Sequence, residues 1–167
     1  MAKITIKGHP FSTNGELPAL HSEAPNFHLV DQDLQDRTLR DFKGKRTLIS
    51  IVPSLDTSVC SLSAKTFNQH ILKHPEVQVL VVSADLPFAQ KRVCGAEHLH
   101  NIVTLSMMRS KDFAKDYGVL IVDGPMAGLC ARSVLVLDAH DRVVYRELVH
   151  ELSHEPDYKA ALKALLT

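Results

Sequence analysis

The stretch Arg46-Thr-Leu-Ile-Ser-Ile-Val-Pro53-Ser-Leu-Asp-Thr57-Ser-Val-Cys60 carries the reading of the fold. Its first half, through Val52, is rich in Leu, Ile and Val without strict alternation, the pattern of a strand covered on both faces, as in a parallel sheet. Pro53 closes that strand. Asp56, Thr57 and Ser58 then offer capping side chains for a helix in which Val59, Ser63, Phe67 and Ile71 recur every fourth residue until Pro75. A buried strand feeding a helix through a short loop is half of a βαβ unit, and the other half follows directly. Val77 to Ser83 reads as a second buried strand, Asp85-Leu-Pro caps and opens a short helix, and Cys94 falls in its last turn before a Gly95 stop. Ile102 to Leu105 is a third strand, and this βαβα order predicts a parallel core.

Working outward, Lys111 to Tyr117 reads as a short helix ending at Gly118. Val119 to Val122, Ala131 to Leu137 and Arg142 to Val149 read as consecutive strands joined by an Asp-Gly-Pro turn and by a turn over Asp138 to Asp141, so the second half of the sheet is antiparallel. The chain closes on an amphipathic helix from Pro156, with Tyr158, Leu162 and Leu165 or Leu166 on one face. On the N-terminal side, Ile4 and Ile6 alternate with polar residues before Gly8-His9-Pro10, a small hairpin that reads as an edge decoration. Glu16 to Phe27, with Pro18 and Pro25, is an extended surface segment; Phe27 to Val30 is a short strand, followed by a polar turn from Asp31 to Asp36.

Composition narrows the function. The 167 residues, 45% hydrophobic and 23% charged, suit a single globular domain spanning residues 1–167. Nineteen basic side chains balance nineteen acidic ones without clustering, which argues against nucleic acid or an anionic membrane as a partner. The longest apolar run, Leu48 to Val52, is interrupted by Ser50 and falls far short of the roughly 20 residues of a membrane span. Met1-Ala-Lys-Ile-Thr-Ile-Lys has no continuous apolar stretch of the secretory type, so the chain reads as cytoplasmic or already processed, with cytoplasmic the expectation and periplasmic the alternative.

Three cysteines, Cys60, Cys94 and Cys130, are too few and too odd in number for a disulfide scaffold, and none forms a Cys-x-x-Cys pair. Cys60 is the third helical residue if Thr57 is the cap, where free N–H groups and the positive end of the helix dipole favour a thiolate; a buried structural cysteine is the alternative. Lowering a thiol pKa from ~8.5 to ~6 raises the ionised fraction at pH 7 about thirtyfold. The accompanying loss of nucleophilicity, for a Brønsted slope of ~0.45, returns about a factor of ten. Ionisation alone therefore does little, and fast chemistry needs donors that stabilise the departing atom. Thr57, three residues ahead of Cys60, is one candidate, with plain helix capping as its other role. Arg132 is the second: it interrupts the apolar run Cys130-Ala-Arg-Ser-Val-Leu-Val-Leu, where a charge is expensive unless paired, although an exposed face or a structural ion pair explains it equally well.

Pro53-x-x-x-Thr57-x-x-Cys60 with a distant Arg132 resembles the peroxiredoxin active site. Three longer stretches, Ser54 to Cys60, Ser83-Ala-Asp-Leu-Pro-Phe-Ala-Gln-Lys-Arg-Val-Cys94 and Tyr117 to Arg132, resemble the bacterial thiol peroxidase branch, and the resemblance runs from the N-terminal hairpin through Glu155-Pro-Asp-Tyr158. It implies, as does the element order, an α/β thioredoxin-like fold with a central mixed β-sheet flanked by helices and an N-terminal hairpin. It implies Cys60 as the peroxidatic nucleophile, Thr57 and Arg132 as the groups that orient peroxide and stabilise the transition state, Pro53 as the shield over the thiolate and Cys94 as the resolving cysteine. The implied cycle passes through a Cys60 sulfenic acid and a Cys60–Cys94 disulfide that thioredoxin reduces, with hydrogen peroxide or organic hydroperoxides as substrates, bulkier ones preferred, a homodimer as the assembly and no metal or organic cofactor. Since 94 − 60 = 34 positions separate the two cysteines, only tertiary folding brings them together, and a bond needs Cα atoms within about 7 Å. If the reduced fold holds them apart, the first turn near Cys60 and the segment Asp85 to Cys94 must unwind, which Gly95 makes cheaper.

The sequence departs from the family pattern at Val93, where an aromatic residue is usual, and at His21, commonly glycine; both alter packing more than chemistry. Cys130 is an extra thiol two positions from Arg132, and in a regular strand the two side chains face the same way, about 7 Å apart. It is either a small core residue or a competitor of Cys94. Among ten histidines, His70/His74 and His150/His154 have i, i+4 spacing, but no third metal ligand is placed and exposed polar positions explain them. Met107-Met108 reads as strand-end packing. Two other functions remain open from the residues: a general thiol–disulfide oxidoreductase, which the missing Cys-x-x-Cys disfavours, and a binding protein switched by its disulfide.

Overall fold

A computed structural model describes residues 1–167. A two-stranded hairpin, β1 (Lys3–Ile6) and β2 (His9–Ser12), precedes a seven-stranded sheet built from β3 (His28–Val30), β4 (Asp36–Thr38), β5 (Arg46–Ile51), β6 (Val77–Ser83), β7 (Val103–Ser106), β8 (Ser133–Leu137) and β9 (Val143–Leu148). The helices are α1 (Ser58–His70), α2 (Pro87–Ala96), α3 (Asp112–Asp116) and α4 (Tyr158–Leu166), with one 3-10 turn at Leu39–Phe42. The strand order is β4-β3-β7-β6-β5-β8-β9. β5, β6 and β7 run parallel, whereas β8 and β3 attach antiparallel at either side of that core. The quoted strand Arg46–Ile51 thus sits near the centre, with Ile49 opposite both Leu80 and Leu135.

Side-chain alternation divides the interior in two. Leu48, Val79, Val81, Val134 and Val136 face one core with Cys60, Ala64 and Phe67 of α1, Cys94 of α2 and Ala161, Leu162 and Leu165 of α4. The intervening residues Ile49, Ile51, Leu80, Val82, Leu135 and Leu137 face the other, with Phe27, Phe113, Tyr117 and the hairpin residues Ile4 and Phe11. No helix is long and apolar enough to cross a membrane.

Several expectations are corrected. The hairpin is no decoration: Ile4 and Phe11 are buried in the second core, and β1 is fastened to the segment after β9 by Thr5 N–H to His150 C=O (2.6 Å) and Leu152 N–H to Thr5 C=O (2.8 Å). Its turn is Lys7-Gly8, both at positive φ, so His9 and Pro10 belong to β2 and not to the break. The polar turn after Val30 closes by Gln35 and gives way to β4, a short edge strand hidden by its lack of apolar residues. Val119 to Val122 makes no strand of the main sheet; it carries only isolated bridges, Leu120 to Cys130 and Ile121 to Thr13, because the Asp123-Gly124 turn folds over the hairpin, with Gly124 against the Phe11 ring and the Asp123 carboxylate accepting from Ser12 N–H (2.7 Å). Regular pairing of β8 begins at Ser133, beyond both Cys130 and Arg132. Gly95 does not stop α2, which runs on to a Glu97 cap and a left-handed His98 (φ 56°), and Asp85 is not its cap, since that place is taken by Leu86. His21 sits at φ 68°, a conformation that costs a non-glycine residue ~1–2 kcal/mol.

Candidate active site

The loop Val52–Thr57 leaves the carboxyl end of β5 and delivers Cys60 to the first turn of α1. Thr57 is the N-cap residue, and the first helical hydrogen bond runs from Ser61 N–H to Thr57 C=O (2.9 Å), leaving the amides of Ser58, Val59 and Cys60 without an intrahelical acceptor. Cys60 also lies on the inward stripe Cys60, Ser63, Ala64, Phe67, so its side chain has no exposed surface. Pro53 is buried in the same loop. The Thr57 hydroxyl donates to the Ser54 carbonyl (3.0 Å), with no capping bond and no bond to sulfur.

Arg132 is 4% exposed and comes from the irregular segment just before β8. Its guanidinium makes three contacts: Nη1 donates to Cys60 Sγ (3.2 Å), while Nε (3.2 Å) and Nη2 (2.9 Å) donate to the Leu152 carbonyl. Its ion-pair alternative fails, because the protein's salt bridges all lie elsewhere. A buried cation without a carboxylate is costly, and the sulfur is the one acceptor beside it able to carry a full negative charge.

Cys94 lies buried near the end of α2, in the same core as Cys60, and all three cysteines are free thiols. Burial pushes the Cys94 thiol up, opposed by the neighbouring Gln32 and Thr104 side chains, which are hydrogen-bonded to each other (2.7 Å). It lines a polar cleft of about 420 Å³ with Gln32, Lys91, His100 and Thr104. Cys130 belongs to the other core, on the opposite face of the sheet from Cys60, with its Sγ 3.6 Å from the Met107 sulfur and its thiol pushed up to about 12 by burial. The shared orientation expected of Cys130 and Arg132 is therefore wrong; the alternation rule holds only within regular strands, and neither residue is in one.

Two contributors have roles that local sequence does not signal. Asp85, expected as a cap, instead ties the loop of Cys60 to the helix of Cys94: its carboxylate accepts from Ser54 Oγ (2.7 Å), Leu55 N–H (2.6 Å) and Ser83 Oγ (2.6 Å), and Ser83 Oγ accepts from Gln90 Nε2 of α2 (3.0 Å). Its partners lie up to 31 positions away, so only the unusual acid at the end of a buried strand could have flagged it. Leu152 acts through its carbonyl, which side-chain identity cannot signal. No group of three or more His, Cys, Asp or Glu side chains converges as a metal site would require; His74 pairs with Glu76 (2.9 Å).

Residues 19–162 match the family described as Redoxin. Thiol peroxidases of Mycobacterium bovis and Mycobacterium tuberculosis are each 50% identical to this chain over 165 residues, covering 99% of it and 99% of their own length. Among solved structures, a peroxiredoxin-like protein from Aquifex aeolicus is 37% identical with a TM-score of 0.91, covering 98% of this chain and 96% of its own. A thiol peroxidase from Chromobacterium violaceum superposes with the same TM-score at 27% identity, covering 98% of this chain and 95% of its own.

Proposed function

The chain belongs to the thiol peroxidases of the redoxin family, thioredoxin-like enzymes that reduce peroxides through cysteine chemistry, and from that premise we propose that Cys60 is the nucleophile, Arg132 the group that stabilises it and the departing oxygen, and Cys94 the resolving thiol. The observation that carries the assignment is the buried Arg132 guanidinium, which lacks any carboxylate and lies 3.2 Å from Cys60 Sγ. The Cys60 thiolate attacks one oxygen of the hydroperoxide, the O–O bond breaks, and the other oxygen leaves as water or alcohol after taking up a proton. Cys60 becomes a sulfenic acid; the Cys94 thiol displaces its hydroxyl as water and forms the disulfide, and a dithiol reductant, thioredoxin, takes the bond back to two thiols. Donors fixed where negative charge develops are worth about 100- to 1000-fold in rate each. No step calls for a metal or organic cofactor.

Cys60 stands at the start of one helix and Cys94 near the end of another, so α2 and the first turn of α1 unwind before the sulfurs meet. Pro53 roofs the sulfur. Thr57, bonded to the Ser54 carbonyl in the resting enzyme, turns its hydroxyl to peroxide once substrate enters. The substrates are hydrogen peroxide and organic hydroperoxides, and the setting is the cytoplasm, whose reduced thiol pool suits an enzyme with three free cysteines. A homodimer belongs to the same proposal: Leu86 and Phe88, 53% and 63% exposed at the start of α2, put apolar surface at the sheet end that holds Cys60. Sedimentation equilibrium decides it.

The test of the chemistry is intact mass and peptide mapping of the fully reduced protein after one equivalent of cumene hydroperoxide. Loss of two hydrogens with Cys60 linked to Cys94 is expected. A persistent Cys60 sulfenic or sulfinic acid, or a bridge to Cys130, overturns the role of Cys94, and absence of reaction overturns that of Cys60.

A further inference from the structure

The position of Arg132 is decided by its acceptors, because a long flexible side chain carries its guanidinium wherever these lie. Two of its three nitrogens are spent on a single carbonyl oxygen, that of Leu152, and the third reaches Cys60. Leu152 lies beyond the end of β9, outside any strand, yet its carbonyl is fixed. On one side Val149 N–H donates to the Arg132 carbonyl (2.9 Å). On the other side Thr5 of the hairpin grips both flanks of Glu151, donating its N–H to His150 C=O and accepting from Leu152 N–H. Glu151 closes the grip from the opposite direction: its carboxylate accepts from Thr5 Oγ1 (2.6 Å), Lys7 N–H (2.8 Å), Gly8 N–H (3.3 Å) and Ser153 Oγ (2.8 Å), filling the concave side of the Lys7-Gly8 turn.

We propose that the N-terminal hairpin is a positioning element of the peroxide-reacting site, with Glu151 and Thr5 holding the Leu152 carbonyl so that Arg132 meets Cys60. The proposal rests on the reading of Cys60 and Arg132 above. Glu151 and Thr5 touch neither sulfur nor substrate; they act through Arg132, and their effect vanishes when Arg132 is absent.

The experiment is a double-mutant cycle on the second-order rate of Cys60 oxidation by cumene hydroperoxide in the full-length protein. Glu151→Ala is expected to slow the reaction about tenfold, the scale of a catalytic group displaced by a fraction of an ångström. Glu151→Gln, which keeps the shape and one acceptor, restores part of the rate. In an Arg132→Ala background, Glu151→Ala costs nothing further, whereas a general loosening of the fold would add its loss to that of Arg132. Thr5→Val removes one hydroxyl while keeping the strand, and serves if Glu151→Ala fails to fold; it slows the wild type and leaves the Arg132→Ala protein unchanged. A wild-type rate in both hairpin variants, or additive losses, overturns the proposal while leaving the active-site reading intact. A wild-type rate for Arg132→Ala overturns the reading itself.

Discussion

Cys60 and Cys130 lie on opposite faces of one sheet, and neither has any exposed surface. Cys60 meets a guanidinium at 3.2 Å and occupies the first turn of a thirteen-residue helix. Cys130 meets the sulfur of Met107 at 3.6 Å and has its thiol pushed up to about 12. Equal burial therefore produces a candidate nucleophile on one face and an inert filler on the other, and the difference lies in the dipoles and charges that come with the burial. The surroundings differ in kind as well. The loop of Cys60 is held by hydrogen bonds to Asp85, which can be released singly, whereas Cys130 is held by apolar packing that yields only as a whole.

The strongest way to break this contrast is Arg132→Met, which makes the surroundings of Cys60 as apolar as those of Cys130. Stopped-flow measurement with cumene hydroperoxide is expected to show a loss of about 100-fold or more. Urea unfolding should show stability lowered by about 1–3 kcal/mol, because the buried Leu152 carbonyl and the Cys60 sulfur lose the donors that the guanidinium gave them. An unchanged rate would return Cys60 to the class of Cys130.

Asp85→Asn probes the second difference. The amide presents a donor where the carboxylate accepted from Ser54, Leu55 and Ser83, and exchanges charge-assisted bonds for weaker ones. Stability is expected to fall by about 2 kcal/mol. Rapid-quench mass analysis should show the Cys60–Cys94 bridge forming several-fold faster, since α2 is freed from its link to the loop. Lost stability with an unchanged rate of bridging would make Asp85 a structural residue only.

The smallest effect sharpens the other side. A thiol raised to about 12 keeps its proton in the folded protein where the unfolded chain, near 9.0, has released it. Between those values the folded state binds more protons, so stability declines as pH rises, by ~1.4 kcal/mol per unit from this group. Tyr145, also pushed up to about 12, adds a decline of the same sign at the upper end. Cys130→Ala should flatten the slope seen in unfolding titrations from pH 9 to 11 and leave peroxide oxidation of Cys60 unchanged; an unaltered slope would mean that Cys130 ionises as readily as an exposed thiol.

What the sequence made legible follows from how local the governing physics is. The β5–loop–α1 unit was readable because an apolar run, a proline and a four-residue repeat are all written in neighbouring positions. Arg132 stood out because a charge in an apolar run demands an explanation, though its partner, the Leu152 carbonyl, is a backbone atom without a side-chain signature. Cys130 was assigned the wrong face because strand alternation was extended to residues 130–132, ahead of the regular pairing of β8. The hairpin looked peripheral since its fastening to Glu151 spans more than 140 positions.

Gln90 adds a matter of timing. Its Nε2 donates to Ser83 Oγ and to the Leu105 carbonyl, both at 3.0 Å, from one turn ahead of Cys94. These two bonds pin α2 to the ends of two neighbouring strands, so the helix gives up the proposed resolving thiol only after both have let go. The wait between oxidation of one cysteine and arrival of the other is set there, and a variant without the two bonds would be a looser protein with a quicker cycle.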